Sequence, residues 1–100
     1  MRVFNSNTLV QYGREHAGAE KAFRELNRTL RGSIWKSFQD IAKAYPGARA
    51  IKGDRIVFNV KGNAYRVVAA MDYSRQAIFI KFAGTHAEYD KIDAETVSRY

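Results

Sequence analysis

The segment Arg55-Ile-Val-Phe-Asn-Val-Lys-Gly-Asn-Ala-Tyr-Arg66 constrains the fold more than any other stretch of this chain. Ile56, Phe58 and Val60 alternate with Arg55, Val57 and Asn59, the two-residue period of a strand with one face on a core. Gly62-Asn63 suits a tight hairpin turn that begins on glycine. Such a turn pairs Lys61 with Ala64, Asn59 with Arg66 and Val57 with Val68. Tyr65, Val67, Ala69 and Met71 then extend the apolar face of the first strand. Slipping by one residue would drive Arg66 into the core, where an unpaired charge is very costly. A second two-residue turn at Tyr73-Ser74 predicts a third strand with Ile78, Ile80 and Phe82 on the core side. It would pair Arg66 with Lys81 and Val68 with Phe79.

The first half of the chain has a different period. Residues 1–4 read as a short strand, and Ser6 or Asn7 can cap a helix running to about His16. Ala19, Ala22, Phe23, Leu26 and Leu30 recur at helical spacing, with Lys21, Arg24, Arg28 and Arg31 clustered on the opposite side. That basic stripe is the ordinary look of a solvated helix face as well as of an anion-binding one. Gly32 ends the second helix. Trp35, Phe38, Ile41, Ala42 and Tyr45 form a third apolar stripe, stopped by Pro46-Gly47. Trp35 and Tyr45 read as core residues, and His16, at a helix end, as structural. Thr85-His-Ala-Glu88 is a capping box that starts a short helical turn. The tail from Asp93 is either a last edge strand or a loose end. The order strand, helices, antiparallel meander defines an α+β fold with helices on one face of a twisted sheet, expected to be one domain over residues 1–100.

Composition narrows the chemistry. With no cysteine among its 100 residues, the chain offers no disulfide, thiolate nucleophile or sulfur metal site. No stretch is apolar enough for a membrane span and the N-terminus has no signal-peptide core, so a cytoplasmic protein with no membrane partner is expected. Seventeen Lys and Arg against ten Asp and Glu give a net charge of +7 and favour a polyanionic partner.

The predicted register lines Asn59, Arg66 and Lys81 across the face away from the helices. Lys61 stands at the rim, and Arg55 and Arg75 lie further along. Adjacent like charges oppose folding by up to about 1 kcal/mol each, and an anion between them reverses the sign. Arg66 can grip a phosphate in a bidentate manner while Lys61 and Lys81 act as point charges. Cations near sheet edges also serve simply to block aggregation. His86, Tyr89 and Asp90 share one side of the capped turn by their spacing of three and four. A histidine oriented by a carboxylate is an ordinary proton shuttle near neutral pH. With cations around a phosphate it suits attack of a ribose 2′-hydroxyl on the adjacent phosphodiester. His86 could equally cap and Tyr89 pack. One such histidine among scattered acids has no metal-ligand spacing, so neither a metal nor another cofactor is expected. Tyr73, at an exposed turn, is a candidate for stacking a base.

The segments Arg55–Arg66 and Gly84-Thr-His-Ala-Glu-Tyr-Asp-Lys-Ile-Asp93, with Trp35-Lys36 and Ala44-Tyr-Pro46, resemble the HigB family of toxins. These belong to the RelE-like mRNA interferases of type II toxin–antitoxin systems. The resemblance implies helices on a curved antiparallel sheet and a ribosome-dependent endoribonuclease that cuts translated mRNA, restrained by a HigA-type antitoxin. The register-derived Lys61, Arg66 and Lys81 occupy the kind of basic surface these toxins carry, and His86, Tyr89 and Asp90 match their Thr-His-x-Glu-Tyr-Asp segment. These six are read as the catalytic group, and the register and turns add Arg55, Asn59, Tyr73 and Arg75 as residues contacting RNA. Ala64 departs from relatives that carry a basic residue there, and Gly18 departs at the junction of the first two helices. A different class of function also fits the residues: a non-catalytic basic module that binds RNA or ribosomes and blocks translation. A degenerate toxin that retains only antitoxin binding is a third reading.

Overall fold

The computed structural model describes residues 1–99. Among them, β1 (Arg2–Phe4) leads into helices α1 (Asn7–Glu15), α2 (Ala17–Gly32) and α3 (Phe38–Ala44). Strands β2 (Arg49–Ile51), β3 (Arg55–Val60), β4 (Tyr65–Asp72) and β5 (Ala77–Thr85) follow, and α4 (His86–Tyr89) closes the regular structure. The five strands form one sheet in the order β1-β5-β4-β3-β2. All neighbours are antiparallel except β1, which runs parallel to β5 through Arg2↔Ala77 and Phe4↔Phe79. The sheet is thus mixed at one edge, which the long helical crossover from β1 permits.

The apolar stripes of the helices meet the sheet face that alternation assigned to the core. Leu9, Tyr12, Ala19, Phe23, Leu26, Leu30, Trp35 and Ile41 pack with Ile56, Phe58, Val60, Val67, Ala69, Met71, Ile78 and Ile80. Trp35 stands edge-on to the half-buried Tyr45, with ring centroids 6.3 Å apart, so both are packing residues. Gly18 lies in the first turn of α2, where a Cβ would come within 2.9 Å of the Tyr65 hydroxyl. Its lack of a side chain therefore lets helix and sheet approach closely at that point.

The β3–β4 register is the one the sequence predicts, Asn59↔Arg66 and Val57↔Val68, with the chain reversing through residues 61–64. The β4–β5 register differs. The connection occupies residues 73–76, so Asp72 pairs with Ala77. A bulge then falls between Val68 and Ala69, whose partners are Phe82 and Ile80. Lys81 is the extra residue, and Arg66 faces Gly84 instead of Lys81. The longer turn is held by Gln76, which adopts φ 51° and donates from Nε2 to the Trp35 and Tyr73 carbonyls at 2.7 and 2.8 Å. The bulge reverses the alternation for the rest of β5. Phe82 consequently leaves the main core and joins Val57, Val68 and Val97 in a second cluster on the opposite face.

That second cluster explains the tail, which is neither an edge strand nor a loose end. Ile92, Ala94 and Tyr89 pack beside Val97. Arg55 donates to the carbonyls of Ala94 at 3.1 Å and Val97 at 2.7 Å. The Arg99 amide donates to the Lys81 carbonyl at 2.7 Å. The face expected to be open is therefore half covered, with cations arranged around a small apolar centre.

Candidate nucleic-acid site

β5 ends in the capping box expected at Thr85. The Glu88 amide donates to Thr85 Oγ1 at 3.1 Å, and the Thr85 amide donates to Glu88 Oε1 at 2.8 Å. These bonds shape α4 so that His86 and Asp90, one helical turn apart, face each other. His86 Nδ1 lies 3.0 Å from Asp90 Oδ2, with about half of each side chain in solvent, at 48% and 59%. A carboxylate on Nδ1 leaves Nε2 of the ring directed outward, the geometry of an oriented proton-transfer group. The His86 amide donates to the Ala64 carbonyl at 3.2 Å, tying the turn to the β3–β4 loop.

Arg66 comes to the same end of the sheet because its partner Gly84 immediately precedes Thr85. Its guanidinium carbon sits 5.3 Å from the centroid of the Tyr89 ring. Arg66 is half-buried, and its Nε has no hydrogen-bond partner among the described residues. Arg49 donates to the Tyr89 hydroxyl at 3.1 Å. Two arginines thus bracket one tyrosine, beside a histidine–aspartate pair. Such a group can hold a phosphodiester through Arg66 and move a proton through His86.

Other predicted residues lie elsewhere. Lys61 has φ 55°, which breaks the strand alternation, and its ammonium donates to the Gly18 carbonyl at 3.1 Å. It borders a groove of about 490 Å³ between α2 and β3, lined also by Lys21, Glu25, Thr29, Tyr45 and Asn59. Asn59 keeps its place across from Arg66, while its amide donates to the Gly47 carbonyl at 3.1 Å. Lys81, in the bulge, places its ammonium 5.9 Å from the Phe79 ring centroid. Arg55, opposite Ala70, is committed to the tail. Tyr73 and Arg75 sit in the β4–β5 turn, at the far end of the sheet from Thr85. Tyr73 is half-buried against the main core instead of exposed, and desolvation followed by the Asp54 and Asp40 charges raises its phenol pKa. Arg75 is 78% exposed and 3.8 Å from Asp72. Asp72 is held below the ordinary carboxylate range by the Ser74 hydroxyl and the Arg75 amide.

Sequence reasoning missed Arg49, because β2 carries no alternating pattern to announce a strand. It also gave Glu88 only a capping role. Glu88 Oε1 accepts a second hydrogen bond, from the Tyr12 hydroxyl at 2.7 Å. The Thr85 amide and then Tyr12 hold the Glu88 carboxyl below its ordinary pKa. Burial, then the Glu88 hydrogen bond, pushes the Tyr12 phenol up. Among the described residues, no three His, Asp or Glu side chains gather in a way that could hold a metal ion. None of their helices is long and apolar enough to cross a membrane.

Helices on one face of a twisted sheet, with an arginine–tyrosine–histidine group where β5 gives way to a capped turn, describe a RelE-like toxin domain. The family model for HigB toxins, the RelE-like toxic component of a toxin-antitoxin system, matches residues 19–92, and the chain belongs to that family. It is 24% identical over 94 residues to the mRNA interferase HigB of Escherichia coli O6:H1 strain CFT073, an alignment covering 92% of this chain and 91% of that protein. It is 26% identical over 92 residues to the mRNA interferase toxin HigB of Escherichia coli K12, covering 90% and 88%. The mRNA interferase HigB of Shigella flexneri is similar to the same extent.

Proposed function

We propose that this chain is an endoribonuclease that cuts mRNA on the translating ribosome and is held inactive by a HigA-type antitoxin in the cytoplasm. Family membership and the names of its relatives support RNA cleavage. The observation that carries a catalytic over a merely binding role is the 3.0 Å contact of His86 with Asp90 beside Arg66. A module that only binds polyanions has no need of an oriented histidine.

In this reading the ribose 2′-oxygen attacks the adjacent phosphorus and the bond to the 5′-oxygen breaks. The products are a 2′,3′-cyclic phosphate and a free 5′-hydroxyl. One proton leaves the 2′-hydroxyl and one reaches the leaving oxygen. His86, oriented by Asp90, performs one of these transfers. Arg66 grips the non-bridging oxygens, whose charge grows in the transition state. Tyr89 orients the nucleotide at the ring edge left by its arginine neighbours. Lys81 adds positive charge from the bulge, and Lys61 and Asn59 contact RNA at the rim.

The test is to incubate the purified protein with a defined mRNA, with and without translating ribosomes, and to map new 5′ ends. Ribosome-dependent cuts that disappear in an Arg66→Ala/His86→Ala variant of unchanged fold are expected. Intact RNA alongside blocked translation that eases as salt rises would favour the binding module instead.

A further inference from the structure

Helix α4 has four residues, and none of them is buried. A single helical turn has no intrinsic stability in water, so α4 depends on its few outside contacts. These are Tyr89 beside Val97 and between Arg66 and Arg49, the His86 amide on the Ala64 carbonyl, and Glu88. The capping box closes within the turn, so it fixes the shape of α4 without fixing where α4 stands on the protein. The Tyr12 hydroxyl supplies the side-chain link from the helical layer, reaching Glu88 Oε1 at 2.7 Å. That oxygen therefore joins the box to the core.

Tyr12 is a rigid donor. It is 9% exposed, and its ring stacks on His16 at 3.9 Å with 9° between planes. Phe23 at 5.5 Å and Tyr65 at 6.1 Å complete an aromatic cage around it. Its hydroxyl cannot be redirected without disturbing that cage. Gly84 gives an independent sign that Glu88 is accommodated closely. A Cβ there would lie 3.2 Å from both the Glu88 Cβ and Oε1, and 2.7 Å from the Phe82 ring.

We infer that Tyr12, acting through Glu88, is a positioning residue that sets where His86 and Asp90 stand relative to Arg66. Neither Tyr12 nor Glu88 touches RNA in this scheme. As a statement about catalysis the inference rests on the reaction proposed above. As a statement about placement it stands on the hydrogen bonds alone.

The experiment is a double-variant cycle on the full chain, using Tyr12→Phe, Glu88→Ala and both together, with Glu88→Gln as the conservative variant. Two readouts are taken: ribosome-dependent cleavage of a defined mRNA, and the NMR resonances of the His86 ring and α4 amides in the free protein. Tyr12→Phe should lower kcat about ten- to a hundredfold with little change in KM, as expected for a displaced reacting group. It should shift the His86 ring resonances without unfolding the protein. Adding Tyr12→Phe to Glu88→Ala should change neither readout further, and Glu88→Gln, which can still accept both bonds, should recover most of the rate. Additive losses, or α4 and His86 resonances left unmoved by Tyr12→Phe, would overturn the inference. If the unaltered protein fails to cleave, the catalytic reading fails, and the NMR cycle still decides the placement.

Discussion

The Arg66 guanidinium lies over the ring of Tyr89, 5.3 Å from its centroid. The ring hydroxyl is taken by Arg49 at 3.1 Å. The tyrosine is thereby fixed at both its face and its tip. Both contacts favour folding modestly, and together they gather two positive charges at one half-buried ring. A phosphodiester brought there would meet the Arg66 fork, a stronger partner for it than the ring.

Replacing Arg66 with lysine keeps the charge and loses the fork. Hydrogen bonds to charged groups contribute about 1.5–3 kcal/mol, so Arg66→Lys should reduce mRNA cleavage about ten- to a hundredfold. Thermal stability should fall by no more than about 1 kcal/mol, the size of a partly exposed cation–π contact. Single-turnover cleavage and a thermal melt on the same preparation check both numbers.

Arg55 tests the opposite assignment. Alternation placed it among RNA contacts, but its guanidinium is spent on the Ala94 and Val97 carbonyls. Arg55→Ala should destabilise the protein by about 1–3 kcal/mol by leaving those acceptors without their charged donor. Amide hydrogen exchange should rise in residues 93–97 while cleavage per folded molecule stays unchanged. A selective loss of cleavage with normal exchange would return Arg55 to the RNA-contacting set.

How far the sequence reaches is clearest in β4 and β5. Asn59 faces Arg66 as predicted, because apolar alternation and the Gly62-Asn63 turn impose one register together. The next hairpin offers no such agreement. The residue at φ 51° is Gln76, not a glycine or asparagine, and its side-chain bonds to Trp35 are tertiary. The bulge at Lys81 is also silent in the sequence, since Phe82 continues the pattern of Ile78 and Ile80. What overrides the pattern is Val97, a tail residue that gives Phe82 an apolar partner on the other face. His86 and Asp90 were legible because the capping box and their spacing are both local. The Tyr12–Glu88 link spans 76 positions and was not.

The placement of Phe82 has its own consequence. Phe82→Ala should cost about 3–5 kcal/mol, as for other buried phenylalanines. If the bulge puts Phe82 against Val97, the loss should be non-additive with Val97→Ala by at least about 0.5 kcal/mol. It should add fully to Ile41→Val on the helical side, because Ile41 belongs to the main core. Urea unfolding of the single and double variants distinguishes the two faces.

Acid should act on α4 through Glu88. Its folded carboxyl is held below the ordinary value, first by the Thr85 amide and then by the Tyr12 hydroxyl. A group with a lowered folded pKa binds its proton more readily in the unfolded chain. Its contribution is therefore complete above the unfolded value, near 4.3 for glutamate, and is lost as pH falls through the folded one. Glu88→Gln removes that titration while keeping acceptors for both donors. The stability difference between the unaltered protein and Glu88→Gln should be constant from about pH 7 down to about pH 5 and shrink below about pH 4. A difference that grows on acidification would mean that Glu88 is not the anion these bonds hold. Urea unfolding midpoints of the two proteins across that range supply the measurement.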